Sequence, residues 1–237
     1  MSDTQIATLS SIGFSGRCAI NPVHASEGKS ATAWLGKDGS LTQQDWKQAL
    51  AIEGRCFTVT IGTLLTGIVG GGAATVPDAD LPEGLISIPS GVVLSPLRVA
   101  IQGNCADAVA NHNTLQAFVC VDRAAAWDGT GTCTVETAYN IRTDTPRSTQ
   151  CTCRSAFNTV NITVPPVHHI DLARAEVKID LPAAGETPVI VNLLYEPNPA
   201  PFIVGPAMLL VYFGGTTALT GYAQLYWAEW SKAELGI

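Results

Sequence analysis

Beyond residue 55 the chain alternates runs of apolar, β-branched and aromatic residues with clusters of Gly, Pro, Asn and Asp, and no helical periodicity intervenes. Parallel strands need crossovers of a dozen or more residues, usually helical, so βαβ architectures are excluded. The runs fall at 56–61 with an extension towards 69, then at 85–88, 92–101, 115–122 and 133–141. They continue at 151–163, 175–181, 188–195, 207–213 and 222–230. Turn material separates them at Gly70-Gly71-Gly72, 77–82, 128–131, 197–199 and Gly214-Gly215. Strands strung together in this way predict an all-β sandwich or jelly roll. With no internal repeat and no dividing linker, 237 residues suit one large β domain.

The first 55 residues form a separate arm or edge segment, leaving 56–237 as the β domain. One short helix is predicted at 42–51, with Thr42 as N-cap, Asp45 at the capping-box position and Leu41 stapled onto Trp46. Gly54 supplies its stop.

Only 14% of residues are charged, against roughly 25% in an average globular protein, while 46% are apolar. Such a chain buries enough to offset its ordering entropy. It has too few charges to cover its exterior, and an apolar, hydroxyl-rich exterior points to assembly. The net charge of −7 excludes a strongly cationic nucleic-acid binder, which needs clustered Lys and Arg. The first 55 residues hide no basic arm: Arg17, Lys29, Lys37, Lys47 and Arg55 balance Asp3, Glu27, Asp38, Asp45 and Glu53. No window reaches the roughly 18 apolar residues of a membrane span, and the opening residues lack the pattern of a secretory signal.

The seven cysteines, Cys18, Cys56, Cys105, Cys120, Cys133, Cys151 and Cys153, are odd in number, which together with the missing signal favours reduced, buried thiols. Cys151 and Cys153 are spaced one residue too tightly for a zinc knuckle, and on a strand both face the same side.

Two segment pairs shape the expected architecture. Residues 97–101 and 115–122 read as a long-looped pair whose continuous apolar runs imply burial on both faces. Residues 207–213 and 221–230 close the chain as a second pair. In the last run Tyr222, Gln224, Tyr226, Ala228 and Trp230 share one face, and Ala223, Leu225, Trp227 and Glu229 share the other.

The ending AMLLVYFGGTTALTGYAQLYWAEW resembles the last two strands of single jelly-roll coat proteins of small icosahedral viruses. A Gly-started strand of the type G-x-L-x-h-x-y-x-E is loosely matched there by Gly221 to Glu229. Leu94 to Ala100 through Asp122 to Ala125 similarly resembles the paired C and D strands of those shells. The resemblance implies an eight-stranded jelly roll without catalytic residues, a structural virion protein rather than an enzyme. Many such coats carry a basic N-terminal arm, which this chain lacks, so genome contact would be weak or indirect. Polyamines, a separate internal protein or an internal membrane beneath the shell would accommodate that lack.

The acidic residues Asp78, Asp80 and Glu83, with Asp122 and Asp128, are weak candidates for calcium ligands, and related shells place calcium between subunits. Solvated loop charges are the plainer reading. His168-His169 point to opposite faces of an extended chain and suit one metal poorly, and His24 and His112 stand alone. Asn161-Ile162-Thr163 forms a sequon with no secretion signal to serve it. No nucleophile elbow or phosphate-cradling loop occurs. Trp34, Trp46, Trp127, Trp227 and Trp230 are the candidate interface anchors, because aromatic residues dominate interface energetics.

The expected function is a self-assembling capsid subunit, located in the virion after assembly in the host cell, whose partners are its own copies and other capsid proteins. No small-molecule substrate is expected. The main alternative is a trimeric jelly-roll receptor- or carbohydrate-binding module of spike or lectin type. A cupin-type enzyme is weaker, because no H-x-H with a spaced Glu occurs.

Overall fold

The computed structural model describes residues 46–63, 65–70, 81–105, 113–123, 127, 132–144, 147–157, 170–179, 189–215 and 219–237. Two compact units divide the chain, Met1–Gly54 and Arg55–Ile237. In the first, helix α1 spans Trp46–Ile52, so the part of the predicted helix at 42–45, with its Thr42 cap, lies outside the described residues. Gly54 ends the helix as anticipated. It takes a positive φ of 71°, and its N–H donates to the Ala51 carbonyl at 3.0 Å.

The second unit is all-β. Its strands are β1 (Cys56–Ile61), β2 (Ile68–Val69), β3 (Gly84–Ile88), β4 (Val92–Cys105), β5 (Asn113–Asp122), β6 (Thr134–Glu136) and β7 (Tyr139–Asn140). They continue as β8 (Thr152–Ser155), β9 (Ile170–Ile179), β10 (Val189–Tyr195), β11 (Ile203–Val204), β12 (Ala207–Gly215) and β13 (Thr220–Ser231), before a short helix α2 (Lys232–Leu235). One sheet runs β10-β4-β13-β1-β7, with β11 added to β4 and β2 to β13. The other runs β6-β8-β3-β12-β5-β9, and every pairing is antiparallel.

Among the described residues thirteen strands are present rather than eight, yet eight of them carry the fold. Taken in chain order as β1, β3, β4, β5, β9, β10, β12 and β13, the first, eighth, third and sixth are neighbours in one sheet. The second, seventh, fourth and fifth are neighbours in the other. That order is a jelly roll, two Greek keys wrapped into a sandwich. The five remaining strands are two to four residues long and extend edges.

This winding corrects the two segment pairs read from sequence. β4 and β5 are not hydrogen-bonded partners but lie in opposite sheets, and so do β12 and β13. A jelly roll sends consecutive strands across the sandwich, so neighbours in sequence face each other through the core. β13 instead pairs with β4 over residues 220–231 and with β1 over residues 223–228.

The core fills the space between the sheets. β13 contributes Ala223, Leu225 and Trp227, β12 contributes Leu209, Val211 and Phe213, and β5 contributes Leu115, Val119 and Val121. A Cβ on Gly84 would come 2.2 Å from Ile61 Cδ1, so glycine there lets β3 and β1 approach across the core. Pro96 lies inside a central strand, where proline is ordinarily excluded because it cannot donate to the ladder. It is tolerated because the register shifts beside it: Tyr226 pairs with Arg98 and Trp227 with Pro96, which leaves Leu97 as a bulge.

β12 is buried at all nine positions. Its inward residues join the main core, and its outward Met208, Leu210 and Tyr212 join a second cluster with Leu85 and Cys120. Burial on both faces explains its continuous apolar sequence. Replacing Leu209 or Leu210 with Ala is expected to cost about 2–5 kcal/mol in either case. Urea unfolding checks this; a strand buried on one face only would leave one of the two variants near wild-type stability.

Candidate interaction surfaces

The outward face of the β12 sheet is largely internal to the subunit. Leu85, Cys120, Met208, Leu210 and Tyr212 are buried, with Phe118, Trp127 and Phe157 packed over them. Phe118 stacks on Tyr212 at 4.7 Å, Trp127 meets Phe157 edge-on at 6.3 Å, and the Arg154 guanidinium lies 3.9 Å from the Trp127 ring. Towards β9 this face turns polar. There Arg174 donates to Gln116 Oε1 at 2.9 Å, and Glu176 accepts a longer contact from Gln116 at 3.5 Å.

The outward face of the β13 sheet differs. Gln102, Tyr222, Gln224, Tyr226 and Trp230 are half-buried in a row across β4 and β13. The Tyr222 hydroxyl donates to Gln102, and Arg98 sits 5.9 Å from the Tyr226 ring while pairing with Glu196 at 3.2 Å. Exposed apolar residues flank this row. Ile190 and Leu194 come from β10, Val204 from β11, and Phe202 packs on Trp230 at 5.3 Å. A depression of about 220 Å³ at one end is lined by Thr63, Leu65, Gln102, Ile190 and Tyr222 among others. Aromatic and apolar residues, with few charges, are the make-up of an interface core. At the β7 margin Tyr139 and Ile141 are also exposed, and Val135 is exposed on β6 of the other sheet.

The tryptophans anticipated as anchors divide among different roles. Trp227 is a correction: it is fully buried in the core, stacks on Phe57 at 6.0 Å and donates Nε1–H to Glu229 at 2.7 Å. Trp127 packs within the subunit over the second cluster. Trp230 is on the half-exposed face, and Trp46 is 43% exposed on α1. Trp34 lies outside the described residues. Phe202, Leu194 and Ile190 were absent from the sequence-based anchors, which rested on tryptophan alone; the apolar alternation at 190 and 194 was the available signal.

Of the acidic candidates, the two described, Glu83 and Asp122, do not converge. Asp122 is buried opposite Met208, whereas the buried Glu83 carboxylate accepts the Phe213 N–H at 2.8 Å. Five positions of β12 separate those points, roughly 17 Å at about 3.3 Å per residue. Asp78, Asp80 and Asp128 lie outside the described residues, as do His24, His112, His168, His169 and the sequon. Among the described residues no group of three or more His, Cys, Asp or Glu is arranged to hold a metal, and no helix is long and apolar enough to cross a membrane.

Cys151 and Cys153 both face the core, as their spacing predicted, with Thr152 on the other side. Among the described residues, Cys56, Cys120, Cys133, Cys151 and Cys153 are in no disulfide. Burial, then the nearby Glu229 carboxylate, pushes Cys153 up to about 12, and the same two causes push Cys151 higher. Such thiols are inert at neutral pH. The structure also shows a polar anchor that sequence reading missed. Glu229 is buried, and it accepts from Trp227 Nε1–H, the Thr149 hydroxyl and the Gln150 N–H at 2.9 Å, which fastens residues 149–150 to β13.

The end of the chain is tied to the start of β1. Arg55 donates through two nitrogens to Glu234, each at 3.0 Å, and Ser231 and Glu234 form a capping box around α2. No family model matches this chain, and no curated protein or solved structure matches it either.

The Arg55 hydrogen bonds hold the Glu234 carboxyl at about 2, below its ordinary 4.5. A depressed folded-state value contributes stability above pH 4.5 that fades as pH falls towards 2. Glu234→Gln is expected to lower the melting temperature at pH 6, with the difference from wild type shrinking below pH 4.5 and closing towards pH 2. Thermal scans across that range check it; an offset that is constant with pH would contradict the assignment.

Proposed function

We propose that this chain is a structural subunit of an icosahedral virus shell, a jelly-roll tile that assembles with copies of itself and with other capsid proteins around a genome. A jelly roll alone serves coats, lectins and cupins alike, so the fold class does not decide among them. What supports the shell reading most is the β13 sheet face. It presents Tyr222, Tyr226, Trp230 and Phe202 with exposed aliphatic neighbours, on a chain only 14% charged. Burying such a surface against further copies removes apolar area from water at about 25 cal/mol per Å². Closed shells use such contacts repeatedly, in symmetric and in head-to-tail form.

The net charge of −7 is poor for direct phosphate neutralisation, so genome contact in this reading passes through polyamines, another internal protein or an internal membrane. The virion is then its location, and packing rather than catalysis its mechanism.

The second reading is a trimeric receptor- or carbohydrate-binding module. It is favoured by Tyr222 and Tyr226 standing beside Gln102 and Gln224, since aromatic faces stack on sugars and amides hydrogen-bond hydroxyls. Light scattering of the purified chain separates the two: megadalton particles are expected, and a discrete trimer would favour the sugar-binding module. Phe202→Ser is expected to cut particle yield at least tenfold while changing unfolding free energy by less than about 1 kcal/mol, because Phe202 is 57% exposed. Particle yield equal to wild type would remove this face from the assembly contacts.

A further inference from the structure

Strand β10 forms one margin of the β13 sheet. It pairs with β4 through seven residues and, among the described residues, with no strand on its other side. Soluble proteins ordinarily guard such a margin with charges, proline or a bulge. The matching margin of the other sheet is guarded in this way, since β9 carries Arg174, Glu176 and Lys178. β10 is not: VIVNLLY contains no charge, glycine or proline, and its register with β4 is unbroken. Ile190, Asn192 and Leu194 are exposed on its outward face, with Leu194 59% exposed, while Val191 and Leu193 are buried.

The run is also complementary to itself. Antiparallel partners share a face, so a two-fold axis relating two copies of one edge strand must pass beside a residue, not between residues. Centred on Asn192, Ile190 stands opposite Leu194 of the second copy, and Val191 stands opposite Leu193. The two carboxamides face each other across the axis, where each can donate and accept. Pro188 and Pro197 bound the strand in sequence. Glu196 is paired with Arg98 of its own chain, and Val189–Tyr195 holds no charge, so no like charges meet along the paired strands.

We infer that β10 is a self-recognition edge, at which two copies of the chain pair antiparallel about Asn192 and join their sheets across a two-fold axis. This deepens the shell reading by naming one of its contacts, and rests on that reading for the rest of the assembly. A strand pair alone buries less than the roughly 1,000 Å² of a stable interface, so further contacts in the particle must reinforce it.

The test is Asn192→Cys in the full chain under mild oxidation. Directly opposed antiparallel residues have Cα atoms about 4.5–5.5 Å apart, within the span of a disulfide. The expected result is at least tenfold more disulfide-linked dimer than from Gln224→Cys in the middle of the same sheet, with mass spectrometry mapping the link to position 192. Asn192→Lys, which places like charges across the axis, is expected to reduce assembly. Particles that form while Asn192→Cys stays unlinked would overturn the edge pairing and leave the shell reading standing. A position 192 protected from maleimide yet unlinked would also overturn it, since another chain or segment then covers the edge. Linked dimers without particles would support the pairing and count against the shell.

Discussion

The sandwich depends on the two-sided burial of β12. Its inward residues meet β13 and β1 residues in the main core, and its outward residues carry the cluster beneath Trp127 and Phe157. A strand with one wet face could give up that second layer and remain a strand. This one cannot, because both of its neighbours, β3 and β5, pack outward side chains into the same cluster. The subunit is thus three layers deep on that side, whereas the β13 sheet has a half-exposed face. That asymmetry separates a finished surface from one that remains available for contact.

Polar groups inside the sandwich are few: the buried Ser95 and Thr58 hydroxyls have no hydrogen-bond partner, whereas the carboxylates of Glu83 and Glu229 do. Glu229 takes three donors and Glu83 takes a backbone N–H, so neither carboxylate is left as an uncompensated buried charge. Both fasten irregular chain to a central strand: Glu229 holds residues 149–150 to β13, and Glu83 binds the entry of β3 to β12. Such carboxylates fix where a loop lands, a specification that apolar packing alone gives weakly.

Much of the fold was legible from local pattern. The alternation in the last run placed Trp227 and Glu229 on one face, and both prove buried there. The continuous apolar run at 115–122 implies burial on both faces, which β5 shows, whereas in the 97–101 run Arg98 is exposed. Strand pairing was not legible, because register in this fold is non-local: Cys56 pairs with Ala228, far along the chain. The segment Ile170–Ile179 was read only in part, since its Ala, Arg, Glu and Lys residues have low β propensity and suit a charged edge. Aromatic content alone names Trp230 and Trp227 alike as candidate anchors, and the structure leaves Trp230 half-exposed while the core claims Trp227. Only the facing sheet decides between those two.

The chain order of the strands carries a consequence for synthesis. The centre of each sheet is supplied by the last two long strands, β12 and β13, while the six long strands made earlier are their flanks. A nascent chain on the ribosome therefore holds margins without a middle, and neither layer can zip up until residues 207–231 have been made. Contacts of such long sequence separation form slowly, and until then apolar segments stay available to wrong partners. Yield in a foreign host should accordingly respond to chaperone supply and growth temperature, more than a β-meander of the same length would.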